Sequence, residues 1–198
     1  MVAARTRPRR QPAISLSHAV RLRAWTALDA PALVLAHRDP LLRRYATTIV
    51  TERSQAQALL TAWAALWPIG DGAAWALADA GDTVLGAVIF TVRDRVSGRA
   101  EAGYWLVPEG RGRGLAGQAL RAGTDAVLTA FAWHRIEASH AVGNERSCAV
   151  ARRAGYRSEA LLRQAQFYPD AGTWSDEHLH ARIATDSPSS RELSGQRG

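Results

Sequence analysis

Apolar and polar positions alternate near the start of the chain, where Val20, Leu22 and Ala24 are interleaved with Arg21 and Arg23. A period of two residues marks a half-buried strand, which ends at Trp25. The period then lengthens. Thr26 stands where a helix cap belongs, with Asp29 three residues on, and Leu28, Leu33 and Leu35 supply an apolar side before Asp39-Pro40 breaks the pattern. Ala56, Leu59, Leu60, Trp63 and Leu66 recur at helical spacing and predict a second helix over 54–67, with Pro68 as its stop. These two helices are expected to pack together.

The middle of the chain reverts to the shorter period. Residues 74–78 and 84–92 flank a turn at Ala80-Gly81-Asp82 and predict a hairpin; a polar loop over 93–98 leads into a third strand over 101–107. A helix over 114–131, a strand over 135–141, a helix over 144–153 closed by Gly155, and two strands over 158–165 and 177–183 complete the series. The order β-α-α-β-β-β-α-β-α-β-β predicts an α/β fold, with one mixed sheet of α+β type and helices on its faces. It fills a single domain over 18–184. Residues 1–17 and 185–198 mix Arg, Pro and Ser without periodicity and are expected to be flexible tails.

A chain of 198 residues, 47% of them hydrophobic, builds a core without a metal or disulfide staple. The single Cys148 cannot form an intramolecular bridge, which fits a cytoplasmic location. No apolar run is long enough for a membrane span or a secretion signal, so no membrane partner is expected. The formal charge of +7 comes from 25 basic residues that are all Arg. That excess suits an anionic ligand; without aromatic residues interleaved among the arginines it gives no nucleic-acid signature.

The chemistry concentrates at the end of the third strand of the meander. There Gly110, Gly112, Gly114 and Gly117 surround Arg111 and Arg113 and open a long amphipathic helix. Glycines allow close approach to a ligand, and the free amides and dipole of a helix start attract an anion such as a pyrophosphate. A Walker A loop is excluded because it requires a Lys. Gly112, Gly114 and Gly117 do fit the Gly-x-Gly-x-x-Gly spacing of a dinucleotide fold. The preceding strand, however, belongs to an antiparallel meander, and no acidic residue ends a parallel strand about 20 residues later.

Arg111-Gly112-Arg113-Gly114-Leu115-Ala116 resembles the Arg/Gln-x-x-Gly-x-Gly/Ala signature of the GNAT acetyltransferases. Downstream, Asn144-x-x-Ser147 and Ala154-Gly155-Tyr156 resemble the RimJ/RimL-like branch, which acetylates ribosomal-protein N-termini among other amines. The resemblance covers nearly the whole domain and implies the acyl-CoA N-acyltransferase fold, with acetyl-CoA as co-substrate and a primary amine, either a protein N-terminus or a small molecule, as acceptor. It further implies that the third meander strand splays from its neighbour. Leu106 and Val107 then hold the pantetheine arm, with the Val107 amide near the thioester carbonyl. The amides of Arg111, Gly112, Arg113, Gly114, Leu115, Ala116 and Gly117 bind the pyrophosphate, and Asn144 bonds the pantetheine, a role compatible with capping its helix. A homodimer is a further expected assembly. The competing readings are an acyl-CoA-binding module without catalysis and a basic ribosome- or RNA-associated protein.

Acyl transfer to an amine needs a base for the ammonium and a donor for the thiolate. Glu101 is the first choice of base and Glu137 the second; each also reads as a strand residue paired with an Arg. Many family members carry a Tyr seven residues after this Asn, but here Ala151 occupies that position. Ser147 is therefore assigned as donor, and Cys148 is taken as a packing residue. His178 and His180 share a strand face without a carboxylate, so no metal is expected. Arg43, Arg44, Tyr45, Phe167, Tyr168, Asp170 and Trp174 offer acceptor contacts. Trp25, Trp105 and Trp174 are candidate pocket walls, with Trp63, Trp67, Trp75 and Trp133 in the core.

Overall fold

In the computed structural model, described here for residues 8–186, one mixed sheet of eight strands carries helices on both faces. The strands run β1 (Ile14–Ser17), β2 (Val20–Ala24), β3 (Gly72–Asp79), β4 (Val84–Asp94), β5 (Arg99–Leu106), β6 (Arg135–Ala141), β7 (Arg157–Tyr168) and β8 (Thr173–Ile183). Their spatial order is β1-β2-β3-β4-β5-β6-β8-β7. Neighbours pair antiparallel except β5 and β6, which are parallel. The helices are α1 (Ala30–Ala36), α2 (Pro40–Tyr45), α3 (Arg53–Ile69), α4 (Leu115–Phe131) and α5 (Glu145–Arg153).

Strand alternation sorts the core into two layers. Trp75, Leu77, Val88, Phe90, Ala100 and Ile136 pack with Leu115, Leu120 and Val127 of α4 on one face. Ala74, Ala76 and Ala87 meet Leu33 of α1 and Ala56 and Leu60 of α3 on the other. Because β3 is covered on both sides, it reads as an unbroken apolar run instead of an alternating one. Gly123 seats α4 against the sheet: a Cβ there would lie 2.6 Å from the Phe90 ring, so only glycine allows this approach.

Two elements go beyond the predicted order, and both have a physical cause. Ile14–Ser17, expected within the N-terminal tail, forms an edge strand on β2. The segment before it is held by buried indoles: Trp67 Nε1 donates to Pro8 O at 2.9 Å and Trp75 Nε1 to Pro12 O at 2.7 Å. The tail assignments at 1–7 and 187–198 lie outside the described residues. Asp39-Pro40, expected only to end a helix, also starts α2: the Asp39 carboxylate accepts from the Leu41 and Leu42 amides, and Pro40 fits the first helical position. Pro68, expected as a stop, lies inside the last turn of α3, which ends at Gly70 in the left-handed conformation with φ 80°.

Candidate active site

The parallel seam between β5 and β6 is three residues long. Arg99 pairs with Arg135, Ala100 with Ile136 and Glu101 with Glu137, and the ladder stops there. Beyond it the strands diverge, and residues 102–106 on one side and Ser139 and His140 on the other line a cavity of about 890 Å³. The cavity continues to the turn before α4, where Arg111, Gly112, Gly114, Leu115, Ala116 and Gly117 line it. Arg113 does not line it.

The turn has the geometry of a cradle. Gly112 and Gly114 have φ 74° and 70°, a region L side chains rarely enter. A Cβ on Gly112 would meet nothing within 4 Å, and one on Gly114 only Gln118 Nε2 at 3.8 Å. These glycines therefore face open space, which leaves the backbone approachable. The first amides of α4 have no partner within the helix, and the dipole places positive charge beside them. Arg146 and Arg153 of α5 also line the cavity and add two cations. The alternation of α5 gave no warning of this, because their approach depends on how α5 packs against α4. Gly117 lets the two helices close up: a Cβ there would lie 3.4 Å from Arg153 Cβ.

Arg111 acts through its side chain as a strut. Its guanidinium donates to Leu106 O, at 3.1 Å from Nε and 2.9 Å from Nη2, and pairs with Asp39 at the start of α2. Burial pushes the Asp39 carboxyl up, but the bond from Arg111 and the two α2 amides hold it below its ordinary value. Val107 differs from expectation. Its amide already donates to Leu85 O at 3.0 Å, and unlike Leu106 it does not line the cavity, so a role at a thioester carbonyl would require that bond to be given up.

Asn144 lines the cavity and caps α5, its Oδ1 accepting from the Ser147 amide at 3.3 Å. Ser147 is paired with a residue that sequence reasoning did not single out. The Tyr104 hydroxyl donates to Ser147 O at 3.0 Å and lies 2.6 Å from Ser147 Oγ. Burial raises the Tyr104 phenol to about 12, with the Ser147 bond opposing, so it keeps its proton near neutral pH.

The three carboxylates near the seam have different partners. Glu101 lines the cavity but is ion-paired to Arg93, with an Nε–Oε2 distance of 2.6 Å. Glu137 lies outside the lining, held by Arg135 at 2.8 Å with Arg99 at 3.8 Å. Glu177 of β8 is 5% exposed, lines the cavity, and accepts from the Tyr168 hydroxyl at 2.6 Å. Among the described residues Glu177 has no ion-pair partner. Burial pushes its carboxyl above the ordinary range; the Tyr168 bond opposes this and the nearby Glu101 charge adds to it.

Of the expected acceptor contacts, Tyr45 and Tyr168 line the cavity and meet edge-to-face at 6.3 Å. Arg43 pairs with Asp170, and Arg44 lies 5.4 Å from the Tyr45 ring centre. Phe167 and Trp174 pack on each other on the exposed face of the β7–β8 hairpin. Trp105 walls the cavity as expected, together with Trp63, which was expected in the core; Trp25 is buried behind both. A bulge in β7, with Gln164 at φ 45°, precedes the stretch that brings Gln166 and Tyr168 to the cavity.

On the α5 face, His140, His180 and Cys148 each place one potential ligand atom within 4.8 Å of the others. His140 Nδ1 lies 3.0 Å from Ala141 O, while His140 Nε2 and both His180 nitrogens are buried without partners among the described residues. Burial, helped by the charges of His140, Arg152 and His178, lowers His180 to about 4, so the ring is neutral near pH 7.

Comparison with known proteins identifies the family and the fold. Residues 19–157 match the family described as Acetyltransferase (GNAT) domain. The chain is 34% identical over 102 residues to the ribosomal-protein-serine acetyltransferase of Escherichia coli, covering 52% of this chain and 56% of that protein. It is 28% identical over 165 residues to the uncharacterized N-acetyltransferase YoaA of Bacillus subtilis, covering 82% and 92%. The chain thus spans about half the length of some of the curated relatives it matches. Among solved structures, Mycobacterium smegmatis RimJ in complex with CoA-disulfide superposes with a TM-score of 0.74 at 25% identity, covering 85% of this chain and 84% of that one.

Proposed function

The chain belongs to the GNAT acetyltransferase family, and from that premise we propose that it moves an acetyl group from acetyl-CoA directly to a primary amine. The observation that carries this reading is the opening between β5 and β6, which leads without interruption to the glycine turn of α4. When bound, acetyl-CoA supplies an acetyl thioester activated toward amines. Its fit rests on three features of this chain. The diverging strands offer unpaired backbone edges to an extended arm, Gly112 and Gly114 leave room against the backbone, and the α4 amides with Arg146 and Arg153 offer positive charge for phosphates.

The catalytic division of labour follows from placement. Amides on the open edge of β5 face the negative charge that develops on the carbonyl oxygen. Ser147 gives the proton to the departing sulfur, and Tyr104 steadies the Ser147 hydroxyl across their 2.6 Å contact. A phenol held near 12 suits that task, since it donates without ionising. Glu101 remains in the cavity wall as a carboxylate close to the reacting groups.

A protein N-terminus is the first acceptor to test, because the Escherichia coli relative is named ribosomal-protein-serine acetyltransferase; a small amine is the second. We place the protein in the cytoplasm on the same grounds. Among the described residues no helix is long and apolar enough to cross a membrane. The experiment is a thiol-release assay with acetyl-CoA against peptides differing in their first residue and against small amines. Turnover of at least one amine is expected; binding of acetyl-CoA with no amine acetylated would sink the catalytic reading in favour of a binding module.

A further inference from the structure

We propose that Glu177 receives the acceptor as an ammonium ion and takes its proton, so that the acceptor is a cationic primary amine entering between Glu177, Glu101 and the Tyr45–Tyr168 pair. The inference rests on the acetyl-transfer reading and assigns it a base that the sequence did not indicate. A carboxylate is stable in a protein interior when a cation or several donors satisfy it. Glu101 and Glu137 meet that condition with Arg93 and Arg135. Glu177 does not: it is the most buried of the three and is held by one neutral phenol. A buried, cavity-lining carboxylate that lacks an internal cation is a site for an external one.

Position supports the same assignment. Glu177 pairs in register with Ala141, the last residue of β6, so it stands one strand away from the end of the opening. It shares that sheet face with Ser139 by alternation along β6, and the cavity reaches it together with Tyr104, Asn144 and Ser147. The titratable and charged groups around this end of the cavity are Glu101 on β5, Tyr168 on β7, Tyr45 on α2, His37 after α1, His140 on β6 and the Arg43–Asp170 pair. Arg153 lines the cavity beside Gly117 of the cradle helix, and Arg111, in the turn before that helix, is paired with Asp39. Glu101 and Glu177 are the two carboxylates that line the cavity, and of the two only Glu177 lacks an Arg partner among the described residues.

The protons balance. The ammonium gives one proton to Glu177, and the neutral nitrogen then forms the C–N bond while the C–S bond breaks and its electron pair leaves with sulfur. Ser147 protonates the sulfur. The second nitrogen proton, lost as the amide forms, restores the hydroxyl, and the proton on Glu177 passes to solvent. The raised carboxyl of Glu177 brings its affinity for a proton closer to that of an amine, which a solvated carboxylate would not.

The test uses the full chain, acetyl-CoA, and the fastest acceptor from a panel of short peptides with free N-terminal Ser, Ala or Thr plus propylamine. Glu177→Gln is expected to lower kcat/KM for the amine by about 100- to 1000-fold at neutral pH, in the range seen for loss of a positioned base. It should also remove the acidic limb of the pH profile, recover partly at high pH, and leave coenzyme A affinity by calorimetry unchanged. Glu177→Asp, which keeps the charge, should retain the limb at reduced rate and guards against loss of fold. An acidic limb that persists in Glu177→Gln, or that disappears in Glu101→Gln or Glu137→Gln instead, would overturn the assignment. Absence of turnover in the unaltered protein with coenzyme A still bound would remove the transfer reading and this proposal with it.

Discussion

Replacing Tyr104 by Phe removes one oxygen atom from a half-buried position and leaves the ring in place. That oxygen contacts Ser147 O at 3.0 Å and Ser147 Oγ at 2.6 Å. Two neutral hydrogen bonds at roughly 1 kcal/mol each predict a loss of about 1–2 kcal/mol in stability, or about 2–8 °C in Tm for a chain of this size. The effect on turnover is separate. If Tyr104 acts through Ser147 on the departing thiolate, losing about 1.4–2.8 kcal/mol of stabilisation slows kcat roughly 10- to 100-fold, while coenzyme A affinity changes little. Ser147→Ala should cost at least as much, about 10- to 1000-fold. The decisive measurement is the double variant, by thiol release under saturating acetyl-CoA. Residues that work as one unit are not additive, so Tyr104→Phe with Ser147→Ala should match Ser147→Ala alone. Multiplicative losses in the double variant would refute the relay, and unaltered turnover in Ser147→Ala would make water the donor.

Gly114→Glu should leave the fold intact, since the nearest atom to a new Cβ is 3.8 Å away, at a cost of about 1 kcal/mol for a side chain at positive φ. Calorimetry should show coenzyme A binding weakened more than tenfold; unchanged affinity would remove the cradle assignment. His180 gives a pH-dependent stability with a definite sign. Its folded value of about 4 lies below the ordinary 6.5, so the unfolded chain binds the proton first. Its contribution is complete above pH 6.5 and is lost as pH falls toward 4. Urea midpoints should drop across that window and drop less in His180→Phe, where His140 and His37, also lowered by burial, still contribute; the variant sacrifices no hydrogen bond because both ring nitrogens are unpartnered among the described residues. Dialysis against EDTA should leave acetyl transfer unchanged, as the chemistry requires no metal; lost activity restored by zinc would show that His140, Cys148 and His180 hold an ion.

Features fixed by local chemistry were legible in the chain. Alternation at Val20, Leu22 and Ala24 gave β2 to within one residue of its end, and glycines between a strand and a helix marked the turn before α4. Features fixed by long-range contact were not. Ile14–Ser17 resembles a tail until indole donors from α3 and β3 are placed beside the preceding segment. Glu101 and Glu137 look alike in sequence, each two residues from an Arg on a strand, and the register makes them direct neighbours; only the divergence beyond them places one in the cavity wall and leaves the other out. Glu177 carried no local signal. Its burial comes from β6 and β7 on either side, and its lack of a cation is visible only once every nearby Arg has been assigned.

The short β5–β6 seam has a further consequence, concerning other protein chains. Unpaired strand edges normally invite pairing with neighbouring molecules, and proteins blunt them with charge, proline or bulges. Here the unpaired stretches of β5 and β6 face each other in the middle of the sheet, between packed helices, while the outer edges belong to β1 and β7. A stray polypeptide cannot reach them as it could an outer rim. The protein thus keeps edge backbone free for a small guest without offering a template for aggregation.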